Sequence, residues 1–116
     1  MSDFLVSAIK ASHHSYSELS KMSGQSVSAI SKWVTKGVSP SAQSAINVLH
    51  ALGLCDQFDV KERMKEARGN YTLFIIEQAS GIPVSTLEGY LYMKVMPSYR
   101  NYLDYMETME RLNKAP

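Results

Sequence analysis

The chain has 116 residues, of which 45% are hydrophobic and 20% are charged, and its formal net charge is +1. This length allows one compact domain or two very small units that share a core. The composition is typical of a globular chain and excludes wholesale disorder. The near-neutral charge neither requires nor excludes a nucleic-acid partner, because binding depends on where the charges lie.

Residue usage narrows the classes of function. The single cysteine, Cys55, has no partner for an internal disulfide, which is typical of a reducing cytoplasm. No apolar run approaches the roughly 20 residues that cross a bilayer, and the N-terminus has no signal-peptide pattern. CxxC, HExxH and glycine-rich phosphate motifs do not occur. We therefore predict a cytoplasmic protein that is not an enzyme, with no metal, cofactor, small-molecule ligand or membrane partner.

Caps and apolar periodicity predict an all-α fold of about eight short helices. A stripe of Phe4, Leu5, Ala8 and Ile9 marks the first helix, and Ser15 begins a capping-box pattern at the second. No alternating pattern of convincing length predicts a strand. The predicted helices begin at or next to Ser2, Ser15, Ser26, Ser41, Asp59, Thr72, Val84 and Ser98.

The chain repeats itself at an offset of 57 residues. Apolar type recurs at core positions, such as Ile30 with Leu87 and Trp33 with Tyr90. Identical residues recur in the pairs Ser23/Ser80, Gly24/Gly81, Val27/Val84, Ser28/Ser85, Pro40/Pro97 and Ser41/Ser98. We predict two units, an N-terminal unit of residues 1–57 and a C-terminal unit of residues 58–116, which the fifth helix joins without a flexible linker.

A helix, a glycine turn and a second helix with fixed apolar offsets form the pattern of a helix-turn-helix. The segment ELSKMSGQSVSAISKWVTKGVSPSAQSAINVLHALGL, residues 18–54, resembles the Cro/lambda-repressor-type (XRE) helix-turn-helix family. The resemblance implies tandem lambda-repressor-like units that bind double-stranded DNA in a transcriptional regulator of bacterial, phage or plasmid origin. Gln25 stands where that family usually has an apolar residue. In the C-terminal unit, Glu77 stands where a small residue is expected, and the outward helix carries Glu88 and Gly89. The departures in the C-terminal unit favour the N-terminal unit as the one that contacts bases.

The resemblance also implies which side chains contact DNA. Serine hydroxyls discriminate weakly between base edges, valine can pack on a thymine methyl group, and lysine can reach guanine or a phosphate. On a helix surface with no binding role, Ala, Glu or Arg would be expected in place of so many Ser and Thr residues, because they favour the helix more strongly. The predicted base-reading residues are Ser26, Val27, Ser28 and Lys32, and the predicted phosphate contacts are Ser31, Thr35, Lys36, Tyr16 and Lys21. For Val84, Ser85 and Thr86 in the C-terminal unit, DNA contact and a solvated helix face stay equally open.

The last predicted helix is rich in tyrosine and methionine. A small unit cannot easily bury so large a surface, and aromatic residues and Met are enriched at interfaces. We therefore predict a homodimer through Tyr99, Tyr102, Tyr105, Met106 and Met109. Two other functions stay open at this point: a protein-interaction module, such as an antirepressor that uses this surface, and an accessory factor that bends or coats DNA.

Overall fold

A computed structural model describes residues 2–114, which form eight α-helices and no strand. The all-α prediction is confirmed, and each helix begins within two residues of its predicted position. The helices are α1 (Ser2–Ala11), α2 (Tyr16–Ser23), α3 (Val27–Thr35), α4 (Ala42–Ala51), α5 (Val60–Arg68), α6 (Leu73–Ser80), α7 (Val84–Tyr92) and α8 (Tyr99–Lys114).

Polar caps account for where the helices begin. At α2, the amide of Glu18 donates to the Ser15 hydroxyl at 3.1 Å, and the amide of Ser15 donates to the Glu18 carboxylate at 2.9 Å. This reciprocal pair is the predicted capping box. Hydrogen bonding of the Glu18 carboxylate to the Ser15 backbone, and then to its side chain, lowers the pKa of Glu18. Side chains of the same kind cap α3, α4, α5 and α6, through Ser26, Ser41, Asp59 and Thr72.

The N-terminal unit encloses a core between α1, α2, α3 and α4. Helix α2 packs on α3 and α4, and α1 packs on α4. Leu5 and Ile9 of the predicted α1 stripe are buried, and so is Leu19 of α2. Phe4 is not part of this core, because 60% of its surface is exposed. The apolar stripe of α1 is therefore narrower than its sequence predicts.

The C-terminal unit repeats these helix contacts. Helix α6 packs on α7 and α8, as α2 packs on α3 and α4, and α5 packs on α8 as α1 packs on α4. Helix α5 also contacts α7 and α4. Because α5 contacts both units, it belongs to one continuous core and is no flexible link.

The two units meet where α4 and α8 begin. The amide of Ala42 donates to the carbonyl of Pro97, and the amide of Tyr99 donates to the carbonyl of Pro40, both at 2.9 Å. Together these bonds form an isolated antiparallel bridge between Ser41 and Ser98. Beyond this bridge, α4 and α8 pack on each other. We call this contact the central joint.

The tyrosine-rich face of α8 lies in the protein's own core. Tyr99, Tyr102, Tyr105 and Met109 are buried, and Met106 is partly buried against the same cluster. The prediction that they form a free surface for a homodimer is therefore wrong. It treated the C-terminal unit as an isolated body, whereas α8 is enclosed by α4, α5 and α6.

Candidate nucleic-acid interface

The turn between α2 and α3 is fixed by backbone geometry and by one serine. Gly24 has the left-handed φ of 77°, and its amide donates to the Ser20 carbonyl at 2.9 Å. A side chain at this φ is strained, so glycine suits the position. The Ser23 hydroxyl donates to the Leu19 carbonyl at 2.6 Å and accepts from the Gln25 amide at 3.3 Å. These bonds fix the angle at which the chain enters α3.

Two apolar anchors set the orientation of α3. Ile30 is fully buried and Trp33 is 5% exposed. Leu19 of α2 is also fully buried in the same core, and α2 packs directly on α3. With a helical period of 3.6 residues, burial of positions 30 and 33 turns positions 28 and 32 away from the core.

The outer side of α3 carries most of the predicted reading residues. Ser26, Ser28 and Lys32 are exposed, as is 44% of the Val27 surface. These four side chains share the N-terminal and outer surface of one helix. We call them the reading face. It offers hydroxyl groups, a methyl surface and one cation to a ligand.

Hydrogen bonds within α3 determine which of the predicted hydroxyl groups can still donate to a ligand. Ser26 accepts from the Ala29 amide at 3.1 Å, which leaves its own hydroxyl hydrogen available to a ligand. The Thr35 hydroxyl instead donates to the Ser31 carbonyl at 2.7 Å. Phosphate oxygens accept hydrogen bonds, so Thr35 has no hydrogen to offer a phosphate in this arrangement. Ser31 is itself half-buried.

The predicted phosphate contacts that flank α3 differ in their exposure. Lys21 and Lys36 are exposed beside the reading face, on α2 and just after α3. Tyr16 is half-buried and packs against the core. The ammonium groups of Lys21, Lys32 and Lys36 are therefore the cations of this surface.

The C-terminal unit has the same turn but a different helix start. Gly81 has a φ of 79°, and the Ser80 hydroxyl repeats the two bonds of Ser23. At the start of α7, however, the Val84 amide donates to the Glu77 carboxylate at 2.8 Å. Ser20 occupies the position of Glu77 in the N-terminal unit. A carboxylate thus lies at the start of α7, where an approaching phosphate would meet a negative charge.

The three predicted DNA contacts of α7 do not form one open face. Ser85 is exposed, while Val84 and Thr86 are half-buried. Gly89 occupies the position of Lys32, and a Cβ atom there would lie 3.3 Å from the Cγ2 atom of Val95. The α7 surface therefore offers one serine where α3 offers two serines and a lysine.

Lys61 of α5 binds the end of α7, and sequence reasoning missed this contact. Its ammonium group donates to the carbonyls of Val95 at 2.7 Å and Gly89 at 3.4 Å. Burial lowers the pKa of Lys61, and the neighbouring charge of Lys65 acts in the same direction. A lysine within the polar run of α5 has no pattern that distinguishes a structural donor from a solvated charge.

Neither a metal centre nor a membrane segment accompanies this interface in the described chain. Within residues 2–114, no cluster of three or more His, Cys, Asp or Glu side chains is arranged to hold a metal ion. None of the helices described over the same residues has the length and hydropathy needed to cross a membrane. Cys55 is half-buried, and burial raises the pKa of its thiol, which disfavours the reactive thiolate.

Comparison with known proteins identifies the N-terminal unit. A family model described as helix-turn-helix matches residues 7–56, a range that contains all of α2, α3 and α4. No curated protein and no solved structure gives a significant match to the chain. Geometry and family match together define this part of the chain as a DNA-binding module of the type found in transcription regulators.

The match covers less than half of the chain, and over residues 7–56 it confirms the helix-turn-helix resemblance seen in the sequence. The matched range ends before the C-terminal unit. That the C-terminal unit is a second copy stays a prediction, which rests on the internal repeat and on the shared turn geometry.

Proposed function

We propose that this protein is a sequence-specific, double-stranded DNA-binding regulator that acts as a repressor, and that the N-terminal unit is its reader. One observation carries the proposal: Ile30 and Trp33 hold α3 inward, so that Ser28 and Lys32 project outward. Helix-turn-helix domains place such a helix in the major groove, with its N-terminal residues on the base edges.

The chemistry of the reading face indicates how such a complex forms. Ser26 and Ser28 hydroxyls donate to or accept from base edges, Val27 packs on a thymine methyl group, and Lys32 reaches guanine or a phosphate. Lys21 and Lys36 bind phosphates and thereby fix the register of the helix on the duplex. Regulation then follows from occupancy of the operator, without catalysis.

Origin and location belong to the same proposal. A regulator of this family acts where the chromosome lies, and we assign it to the cytoplasm of a bacterial host, encoded by a bacterium, phage or plasmid. The unpaired Cys55 is consistent with that reducing compartment. We do not propose a homodimer through the α8 tyrosines, because those side chains pack inside the chain.

The two rival functions lose support in different ways. An antirepressor-like module would need the tyrosine-rich surface of α8 to be free, and the burial of Tyr99, Tyr102 and Tyr105 argues against it. An accessory factor that coats DNA would need cations over both units. The C-terminal unit has exposed cations of its own, such as Lys94 and Arg100, but none stands at a position equivalent to the three lysines of the N-terminal interface, which favours a selective reader.

Selection from a random duplex library tests the function directly. We expect the full chain to enrich a defined base sequence, with an affinity that falls as salt rises because bound lysines release counterions. The Ser28→Ala, Lys32→Ala double variant should lose discrimination between the enriched duplex and a scrambled one.

The C-terminal unit provides a matched control for the change at Ser28. Ser85→Ala alters the equivalent serine of α7 and should leave selection unchanged, and Lys114→Ala removes one exposed charge far along α8. If the double variant enriches the same sequence as the unaltered chain, the α3 assignment is wrong. Enrichment of no sequence at all would remove the proposed function.

A further inference from the structure

We infer that one chain binds DNA as a monomer at an asymmetric site, because the C-terminal unit occupies the place that a second subunit would take in a two-fold dimer. The inference rests on the proposed function for the identity of the ligand. It adds the number of chains and the symmetry of the DNA site. Two independent sets of contacts carry it, one at the central joint and one on the surface of α6 and α7.

The central joint relates the two units by an internal two-fold axis. An antiparallel bridge with two reciprocal hydrogen bonds is locally two-fold symmetric. Here its centre joins Ser41 to Ser98, which are equivalent residues of the repeat. The bonds from Ala42 to Pro97 and from Tyr99 to Pro40 likewise exchange equivalent positions, and both are 2.9 Å long. The axis therefore exchanges α4 with α8.

The two helix-turn-helix pairs follow this axis. Helix α2 packs on α3 and α4 as α6 packs on α7 and α8, so the symmetry of the joint extends to both pairs, whereas α5 departs from it through its contacts with α4 and α7. An interface of this kind uses the same patch on both partners, as a two-fold homodimer does. In this chain the patch at the start of α4 is already covered by α8, since Ala42 and Tyr99 are buried. A second chain cannot use it.

The C-terminal unit retains the fold of the reader without its charges. Each lysine of the N-terminal interface has an uncharged equivalent: Gln78 replaces Lys21, Gly89 replaces Lys32 and Met93 replaces Lys36. Two serines of that interface, Ser20 and Ser31, have the acidic equivalents Glu77 and Glu88.

An exposed apolar side chain also distinguishes the C-terminal surface from the N-terminal one. Phe74 takes the position of Ser17 on the first helix of the turn, and 63% of its surface is exposed. Phosphate contacts supply most of the affinity of such domains. The C-terminal surface has lost all three lysines of the N-terminal interface and gained two carboxylates, and Lys94 just after α7 is too small a replacement to bind a second half-site. One chain therefore carries one reader, and its DNA site has no inverted repeat.

A mixing experiment tests the number of chains. The chain and a longer fusion of the same chain are bound together to the duplex enriched from a random library, and the complexes are separated on a native gel. We expect two shifted bands, one for each protein, and a sedimentation mass of one chain per duplex. A third band of intermediate mobility would show two chains on one duplex and would overturn the inference.

The enriched sequence gives a second, independent readout. We expect one block of selected base pairs without two-fold symmetry, and protection from hydroxyl radicals centred on that block. Selection of an inverted repeat would overturn the inference while leaving the proposed function intact. Failure to enrich any duplex would remove both, so the two claims fail in distinguishable ways.

Surface variants complete the test with folded protein. Glu88→Ala and Gln78→Ala alter exposed residues of the C-terminal unit and should change affinity for the enriched duplex less than twofold. Lys21→Ala, at the position equivalent to Gln78, should weaken it about tenfold. A comparable loss from the Gln78 and Lys21 variants would mean that both units bind DNA and would contradict the inference.

Discussion

The hydroxyl of Tyr105 donates a hydrogen bond to the carbonyl oxygen of Met64, 2.8 Å away, and so joins α8 to α5 inside the core. Tyr105 is fully buried. Burial raises its pKa to about 12, with the nearby charge of Arg68 acting in the opposite direction. Val48 occupies the equivalent position in the N-terminal unit, so this polar link is particular to the C-terminal half.

Tyr105→Phe removes this bond and is expected to lower the free energy of unfolding by about 1 kcal/mol. It should also change the alkaline response. The folded pKa lies above the unfolded value near 10, so the neutral form stabilises the fold below pH 10 and this contribution is lost as pH rises toward 12. Denaturant titrations at pH 8 and pH 11 should show a smaller loss of stability for the variant. An identical loss in both proteins would contradict the assignment.

Ile30→Ala is expected to lower the free energy of unfolding by about 3 kcal/mol, because it leaves a cavity between α2 and α3. Val27→Ala serves as the matched control, since Val27 is partly exposed on the adjacent surface. We expect its stability to stay within about 0.5 kcal/mol of the unaltered chain. Its affinity for the enriched duplex should nevertheless fall if Val27 packs on a thymine. Chemical denaturation and gel-shift titration measure the two effects separately.

Gly24→Ala and Gly81→Ala should each destabilise the protein by about 1 kcal/mol, because a Cβ atom is strained at their left-handed φ. No atom lies within 4 Å of either Cβ position, so the cost comes from the backbone alone. Gly89→Ala provides a contrast inside α7. There a helical residue gains propensity and Val95, which is 49% exposed, can shift to relieve the 3.3 Å contact. Equal losses of unfolding free energy in all three variants would show that left-handed geometry is not the cause.

Lys61→Met should lower the free energy of unfolding by about 1 kcal/mol, because the carbonyls of Gly89 and Val95 lose a charged donor. Hydrogen exchange should quicken at the amide of Val95, which donates to the Gly89 carbonyl at 3.3 Å. Lys65→Met is the control, since Lys65 forms an exposed pair with Glu62 at 3.7 Å. If the exchange rate of the Val95 amide is unchanged in the Lys61 variant, the Lys61 hydrogen bonds do not stabilise the end of α7.

Measuring DNA affinity at several salt concentrations tests the three lysines on and beside the reading face. If Lys21, Lys32 and Lys36 neutralise about three phosphates, the logarithm of the binding constant falls with the logarithm of salt at a slope near −3. Each single Lys→Ala change should make this slope shallower by about 1. A slope that stays the same in all three variants would place the phosphate contacts elsewhere.

The local parts of the structure were predictable because local residues determine them. Ser15 with Glu18, and Gly24 after α2, specify a helix start and a turn through bonds between near neighbours. The anchors Ile30 and Trp33 follow from helical period alone, and the family match confirms the module they belong to.

Contacts between distant residues were not predictable in the same way. The enclosure of Tyr102 and Tyr105 depends on helices that are distant in the sequence, as the bond from Tyr105 to Met64, 41 residues away, illustrates. The hydrogen bond from the Val84 amide to Glu77 and the bond from Lys61 to the Val95 carbonyl depend on side-chain directions, which sequence periodicity does not predict.

The bridge between Ser41 and Ser98 also bears on how the chain unfolds and how it diverged. Because each half completes the other's interior, melting of either half exposes apolar surface on both, and calorimetry should record a single cooperative transition. If the C-terminal unit is a duplicated copy, its packing against the N-terminal unit would preserve its helices while its outer surface changed, as Glu77 and Gly89 illustrate.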